Sequence, residues 1–156
     1  MEGTAKRRRR ASGNAVVEVA LLLPWFAFLF MGVFDFGFYA YALISTENAA
    51  RSATMYLAGS YSVAEGEWQA PAPASQPGAC QYVLGELRKL PNVGASVTGC
   101  SALPVQVTVN PPVLEADGSY STSLMVAYRT VPLFPIPGLA GQLTIRRNVV
   151  MRIFGD

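Results

Sequence analysis

The stretch from Ala15 to Phe34 reads AVVEVALLLPWFAFLFMGVF and contains a single charged residue, Glu18. A helix that rises about 1.5 Å per residue needs roughly 20 apolar residues to span a hydrocarbon core. The twenty residues of this stretch match that length. We therefore predict a membrane-spanning helix over residues 15–34.

A cluster of basic residues stands just before this stretch. Five of the twelve Lys and Arg residues occupy positions 6–10, whereas Asp35 and Glu47 follow the apolar segment. Because positive charge stays on the cytoplasmic side of a membrane, we predict a cytoplasmic N-terminus and one crossing. A cleaved secretory signal is the main alternative, but its apolar core covers only about 7–15 residues. Here the apolar run continues through residues 36–41.

The composition argues against several classes of function. The chain has 156 residues, two cysteines and no histidine, so it lacks the usual general base and the commonest zinc ligand. After residue 13 there are seven basic and nine acidic residues, which gives no general basic surface for nucleic acid. The sequence contains no evident nucleophile–base pair or metal-ligand cluster. We expect a protein that is not an enzyme and has no metal site, no cofactor and no nucleic-acid partner.

The helical pattern continues beyond the predicted span. Glu47, Asn48 and Arg51 fall on one side of it, and Gly59 follows as a stop signal. We predict one helix over residues 14–58, whose second half needs another surface to cover its apolar stripe. That stripe recurs at helical spacing and comprises Phe38, Tyr41, Ala42, Ser45, Ala49, Ala53 and Tyr56.

The C-terminal half has the pattern of a small mixed domain. Residues 59–79 are rich in Ala, Pro, Gly and Ser and predict a linker. A short helix is expected from Cys80 until Pro91 stops it. Four strands are predicted at about residues 94–98, 105–109, 122–131 and 142–154. The fold class that follows is α+β, with residues 80–156 forming a domain of one short helix and an antiparallel sheet.

Cys80 and Cys100 are the two cysteines, and both belong to the predicted external domain. Cysteines outside the cytoplasm are usually oxidised, so we predict a structural disulfide between them. A crosslink over a loop of this length is worth about 3 kcal/mol in the chain-entropy view. A redox or metal role would need a closer pair or additional ligands.

Glu18 is unusual because an ionised carboxylate inside a bilayer costs several kcal/mol without a partner. One interpretation places it at the cytoplasmic interface, hydrated near Arg10. The other follows from the order of a basic leader, Gly13, Asn14 and then Glu18, which resembles the type IV prepilin signal. That resemblance implies cleavage after Gly13 by a prepilin peptidase. The new amine at Asn14 would then be neutralised by Glu18 of the same or a neighbouring chain.

The resemblance extends over about forty residues, from the leader to residue 53. This region is similar to the N-terminal part of TadE-like pseudopilins from tight-adherence (Tad/Flp) pilus systems. The family opens with R-x-G-x-x-x-x-E-F-A-L-x-x-P and continues with D-F-G and N-A-A-R stretches. Val19 stands here where the family prefers Phe or Tyr. The matching positions are Gly13, Glu18, Ala20, Leu21, Pro24, Asp35, Phe36, Gly37, Asn48, Ala49, Ala50 and Arg51.

Pro24 lies inside the predicted helix, where its missing N–H removes one backbone hydrogen bond. Membrane helices tolerate this when neighbours satisfy the freed carbonyl. We predict a kink at Pro24, either as an ordinary feature of a membrane helix or as a feature shared with pilin-like helices, which often carry a proline near this point.

The resemblance implies a pilin-like domain and a minor pseudopilin that acts in pilus assembly, priming or capping. Its expected location is the bacterial inner membrane, with the C-terminal domain in the periplasm; whether it enters the filament stays open. Membrane lipid, prepilin peptidase, other pilins or pseudopilins and the pilus assembly platform are the implied partners. A major Flp-type pilin is disfavoured because such chains are usually much shorter. The alternative is an unprocessed, single-span anchored binding or adhesion module.

Overall fold

The computed structural model describes residues 12–60, 62–64, 67–69, 75–133 and 141–153. The predicted basic leader covers residues 1–13, and its residues 1–11 lie outside the described part of the chain. A long helix is followed by two short strands, a second helix and four further strands, which confirms the predicted α+β class. The elements are α1 (Ser12–Ala58), β1 (Ser62–Ala64), β2 (Glu67–Gln69), α2 (Ser75–Leu87), β3 (Ser101–Ala102), β4 (Val105–Leu114), β5 (Tyr120–Arg129) and β6 (Thr144–Arg152).

Strands β3 to β6 form an antiparallel sheet in the order β3-β4-β5-β6, while β1 and β2 pair separately as a hairpin. Strand β5 pairs with β4 on one side and with β6 on the other. Its side chains Leu124, Val126 and Tyr128 are fully buried. The sheet core is therefore centred on β5, as expected for the one long strand with a long neighbour on each side.

Strand β4 is longer than the sequence predicts, because it continues through Pro111 and Pro112. The pairing with β5 shifts register between Asn110 and Val113. A proline cannot donate to a ladder and is tolerated at bulges and on strand edges. Among the described strands, β3 covers only Val105 and Gln106 on the other side of β4. The two prolines thus lie at a bulge on an open edge.

The second half of α1 lies against α2, β5 and β6. The predicted stripe is confirmed at Ala42, Ser45, Ala49 and Ala53, all of which are buried. Their small side chains let the helix axis approach the sheet closely. The prediction is wrong for Tyr41, which is 46% exposed at the margin of the buried face. Phe38 and Tyr56 are half-buried against the core.

The segment between α2 and β3 differs from the prediction. The expected strand over residues 94–98 is wrong, because residues 91–96 form consecutive turns. Leu87, Leu90 and Val93 are spaced three apart and buried. Each of the last two donates its N–H to the carbonyl three residues before it, at 2.9 and 3.1 Å. Burial of every third side chain therefore favours turns over an extended strand.

The predicted linker, residues 59–79, also contains regular structure. The hairpin of β1 and β2 lies within it, and α2 begins at Ser75, five residues before the predicted start at Cys80. Pro77 occupies the first turn of α2, where a missing N–H removes no helical hydrogen bond. A composition rich in Pro and Ala is therefore compatible with a helix start.

A polar contact ties the turn segment to the sheet. The Tyr128 hydroxyl donates to Asn92 Oδ1 at 2.7 Å, and Asn92 Nδ2 donates to the Arg129 carbonyl at 2.6 Å. Burial raises the pKa of Tyr128 to about 12. The hydroxyl therefore remains a donor throughout the physiological pH range.

The predicted disulfide is confirmed. Cys80 on α2 is bonded to Cys100, immediately before β3, with a Cα–Cα distance of 5.7 Å. The bond joins the middle of α2 to the open edge of the sheet. It closes the turn segment into a loop, so this part of the domain depends on a crosslink as well as on packing.

We expect Gly78→Ala to destabilise the protein. A Cβ at Gly78 would lie 2.6 Å from Cε1 of Tyr56, whose ring also packs against that of Tyr82 with centroids 4.9 Å apart. Overpacking of this kind costs about 1–3 kcal/mol, more than the gain of about 1 kcal/mol from removing a helical glycine. Urea unfolding of the full chain in detergent would measure the change.

Gly85→Ala is the matched control, because it lies on the same helix and a Cβ there meets nothing within 4 Å. This variant should be stabilised by up to about 1 kcal/mol. Tyr56→Ala should remove the penalty of Gly78→Ala in a double-mutant cycle. Equal effects of the two glycine variants would contradict the proposed close contact between α1 and α2.

Candidate assembly surface

The first half of α1 has no cover within the described part of the chain. Every residue from Ala15 to Phe26 is exposed, and most of those up to Gly37 are exposed as well. Trp25 is 76% exposed and Phe36 is 73% exposed. A soluble domain rarely exposes so many contiguous large apolar side chains. This half of the helix therefore needs lipid or protein around it.

The helix is long and apolar enough to cross a membrane. The 18-residue window of α1 reaches a mean hydropathy of 2.2, and none of it is buried inside the protein. A core helix of a soluble protein would be mostly covered. The uncovered apolar half supports anchoring in a membrane through one N-terminal helix.

Glu18 is exposed on this apolar half. Among the residues that the structure describes, it makes no hydrogen bond and no ion pair, whereas Glu47 on the same helix makes two ion pairs. An ionised carboxylate without a partner is costly in hydrocarbon. It is the one charged side chain between Ala15 and Phe34.

The predicted processing site lies at the start of the same helix. Because α1 begins at Ser12, the backbone of Gly13 and Asn14 belongs to its first turn. Positions 14 and 18 are four residues apart in this helix, slightly more than one turn of backbone. A contact between Glu18 and an amine at position 14 stays a prediction.

Pro24 lies in the interior of α1, which continues on both sides of it. Since proline has no N–H, the carbonyl of Ala20 lacks its usual helical partner. In hydrocarbon such a carbonyl is satisfied by water, a side chain or a neighbouring helix. A bend at this point stays a prediction.

Asp35 marks the point where α1 meets the folded domain. Its Oδ1 accepts a hydrogen bond from the backbone N–H of Leu133 at 3.1 Å. Phe36 and Gly37 are exposed, and a Cβ added to Gly37 would meet nothing within 4 Å. Of these three motif residues, only Asp35 has a role in the internal packing of the described chain.

The N-A-A-R motif, residues 48–51, lies where α1 has one face on the core and one face exposed. Asn48 and Arg51 are exposed, while Ala49 and Ala50 between them are fully buried. Arg51 Nε donates to Glu47 Oε1 at 3.2 Å. The motif therefore combines two core residues with two surface residues on the same turn.

Arg147 makes a contact with Glu47 that the sequence did not predict. Its Nε lies 3.5 Å from Glu47 Oε2 and is buried without a hydrogen bond among the described residues. Arg147 shares the inward side of β6 with Ile145 and Val149, whose alternation was the available signal. One carboxylate therefore faces two guanidinium groups where α1 crosses the sheet. Partly exposed pairs of this kind contribute about 0–1 kcal/mol each.

The sequence comparison supports the resemblance on which the site was predicted. Residues 13–54 match the family model described as TadE-like protein. The match covers Gly13, Glu18, Pro24, Asp35 and Arg51, and it ends before the second helix. No curated protein matched the chain, and no solved structure matched it. The TadE-like family suggests a protein related to Tad pili, and its matched segment is the helix that carries the uncovered apolar surface.

Proposed function

We propose that this chain is a minor pseudopilin of a Tad-type type IV pilus that acts in pilus assembly, priming or capping, and not as an enzyme. The observation that carries the proposal is Glu18, an exposed carboxylate without a described partner on an uncovered apolar helix. This residue lies inside the segment that matches the TadE-like model. A permanent tether has no need for a charge at this position, whereas an assembling helix does.

Cleavage after Gly13 supplies the missing cation. The peptidase removes the basic leader and leaves a protonated amine on Asn14, at or near the lipid surface. Glu18 of the same chain, or of a neighbouring pilin, neutralises that amine. Between two chains the ion pair also fixes the axial register of one helix against the next. The uncovered apolar half of α1 then exchanges lipid for the helices of other subunits.

The domain remains folded during this exchange, because its core uses only the second half of α1. Ala42 to Leu57 supply the buried face of the helix, while the residues before Gly37 contribute little to the core. The first half can therefore leave the bilayer without unfolding the sheet. We place the protein in the bacterial inner membrane, with a cytoplasmic N-terminus and a periplasmic domain. Prepilin peptidase, other pilins or pseudopilins and the assembly platform are its proposed partners.

The mature N-terminus is the direct test of processing. In cells with an active prepilin peptidase, we expect the isolated protein to begin at Asn14, as read by N-terminal sequencing or intact mass. Gly13→Val is the control and should retain the leader, because a larger side chain blocks the scissile position. Wild-type protein that begins at Met1 in such cells would contradict processing and favour the anchored binding module.

A further inference from the structure

One end of the sheet lies at the level where α1 leaves the predicted span. Asp35 directly follows Phe34, the last residue of the span, and it binds the backbone of Leu133 at 3.1 Å. Leu133 lies in the connection between β5 and β6. This hydrogen bond holds the start of that connection against the helix at the boundary between lipid and water.

The surface at this end of the sheet is apolar. Leu133 is 42% exposed and Leu143 is 43% exposed. The Arg129 N–H donates to the Pro104 carbonyl at 2.9 Å, which places the neighbouring Leu103 at this end as well. Leu103 is 36% exposed. The chain has no charged residue between Thr130 and Thr144. Residues 134–140 lie outside the described part of the chain, so the surface is defined by Leu133 and Leu143, which flank them, and by Leu103.

A groove of about 480 Å³ separates this surface from α1. Its wall on the helix includes Phe36, Phe38 and Tyr39, and its wall on the domain includes Val131 and Leu143. The groove therefore opens at the same level as Asp35. An apolar cleft at that depth matches the upper part of an acyl chain.

Arg129 supplies a positive charge close to these leucines. It is exposed at the end of β5 and lies four residues before Leu133, which is at most about 14 Å along an extended chain. A long arginine side chain can reach lipid phosphate while its stem lies over apolar surface. The combination of exposed leucines below a basic residue is typical of surfaces that rest on a bilayer.

The opposite end of the sheet has a different character. Leu114 is exposed there too, but Glu115 and Asp117 follow it in the turn to β5. Hydrogen bonds from Ser119 lower the pKa of Asp117, so this carboxylate stays ionised. Arg152 pairs with it at 2.5 Å. The far end therefore carries carboxylates beside its exposed apolar side chains, whereas the chain has no acidic residue between Thr130 and Thr144.

We propose that the end of the domain formed by Leu133, Leu143 and Arg129 is a lipid-binding surface. The two leucines enter the headgroup region of the leaflet from which α1 emerges, and Arg129 contacts lipid phosphate. The domain thereby rests on the membrane instead of moving freely above it. The proposed lipid binding does not depend on the assembly role of Glu18. It depends only on α1 crossing the bilayer.

Fluorescent labels on full-length protein in nanodiscs of phosphatidylcholine and phosphatidylglycerol test the proposal. The native cysteines are paired, so Leu133→Cys, Leu143→Cys and Leu114→Cys each provide one labelling site for an environment-sensitive dye. We expect quenching by aqueous iodide to be at least about threefold weaker at positions 133 and 143 than at 114, with blue-shifted emission. Leu143→Asp should raise the quenching of the label at 133 to near the value at 114.

A label at Leu22→Cys reports on the span itself. If that label is protected while the labels at 133 and 143 are quenched as strongly as at 114, the lipid-binding surface is wrong and the anchor stands. If the label at position 22 is also quenched freely, both the anchor and the surface are wrong. No change at position 133 upon Leu143→Asp would likewise overturn joint insertion of the two leucines.

Discussion

Glu18→Ala is expected to remove most pilus assembly while membrane insertion of the protein is retained. In the proposed mechanism the variant leaves the new amine of Asn14 without a counter-charge in or near lipid, where an unpaired charge costs about 2.5–3.5 kcal/mol. Since about 1.4 kcal/mol corresponds to a tenfold change in an equilibrium, assembly should fall by at least about tenfold. Insertion should persist, because the loss of a carboxylate makes the span more apolar.

The measurement is the amount of sheared pilus from a strain that carries the variant as its only copy, alongside carbonate extraction of its membranes. Glu18→Gln preserves shape and should be as defective as Glu18→Ala, whereas Glu18→Asp should keep part of the activity. Glu86→Ala is a matched control, since it removes an exposed acid on α2 outside the matched segment. Normal piliation by Glu18→Ala would exclude the role assigned to this carboxylate.

The long helix could be predicted from the sequence because its signals are local. Charge distribution, a run of twenty apolar residues and the stop at Gly59 predict an element that the structure ends at Ala58. Helical spacing predicts four of the buried residues of the stripe, with Tyr41 as the exception, and two cysteines can form only one intramolecular disulfide. Each of these inferences needs only neighbouring residues or a count.

The contacts of the site could not be predicted, because they join distant parts of the chain. Asp35 and Leu133 are 98 residues apart, and the partner atom is a backbone N–H, which every residue except proline carries. Glu47 and Arg147 meet only because α1 crosses β6 at that point. Strand alternation indicates that Arg147 shares a side with Ile145. It does not indicate that a helix covers that side.

The error at residues 94–98 has a physical cause as well. Short runs of small and β-branched residues favour strands only when a neighbouring strand can pair with them. In the described structure, β4 uses that part of its edge to pair with β3. Leu90 and Val93 instead turn into the core beside α2. Tertiary packing therefore decides the conformation here, and local propensity does not.

Removal of the disulfide is expected to lower the free energy of unfolding by about 3 kcal/mol. The bond closes a loop with a sequence separation of 20, and opening it increases the entropy of the unfolded chain. It also holds α2 to the sheet edge, and α2 in turn supports the contact between Gly78 and Tyr56 on α1. The double variant Cys80→Ala, Cys100→Ala should therefore loosen the packing of α1 and weaken the domain core.

Urea unfolding of full-length protein in detergent would measure this loss as a shift of the midpoint. With a urea dependence of about 1–3 kcal/mol per molar, the midpoint should fall by about 1–3 M. Reductant should shift wild-type protein by a similar amount and leave the double variant unchanged, because only the wild type has a bond to break. A midpoint that reductant does not move in the wild type would mean that packing around α2, and not the crosslink, holds this edge of the domain.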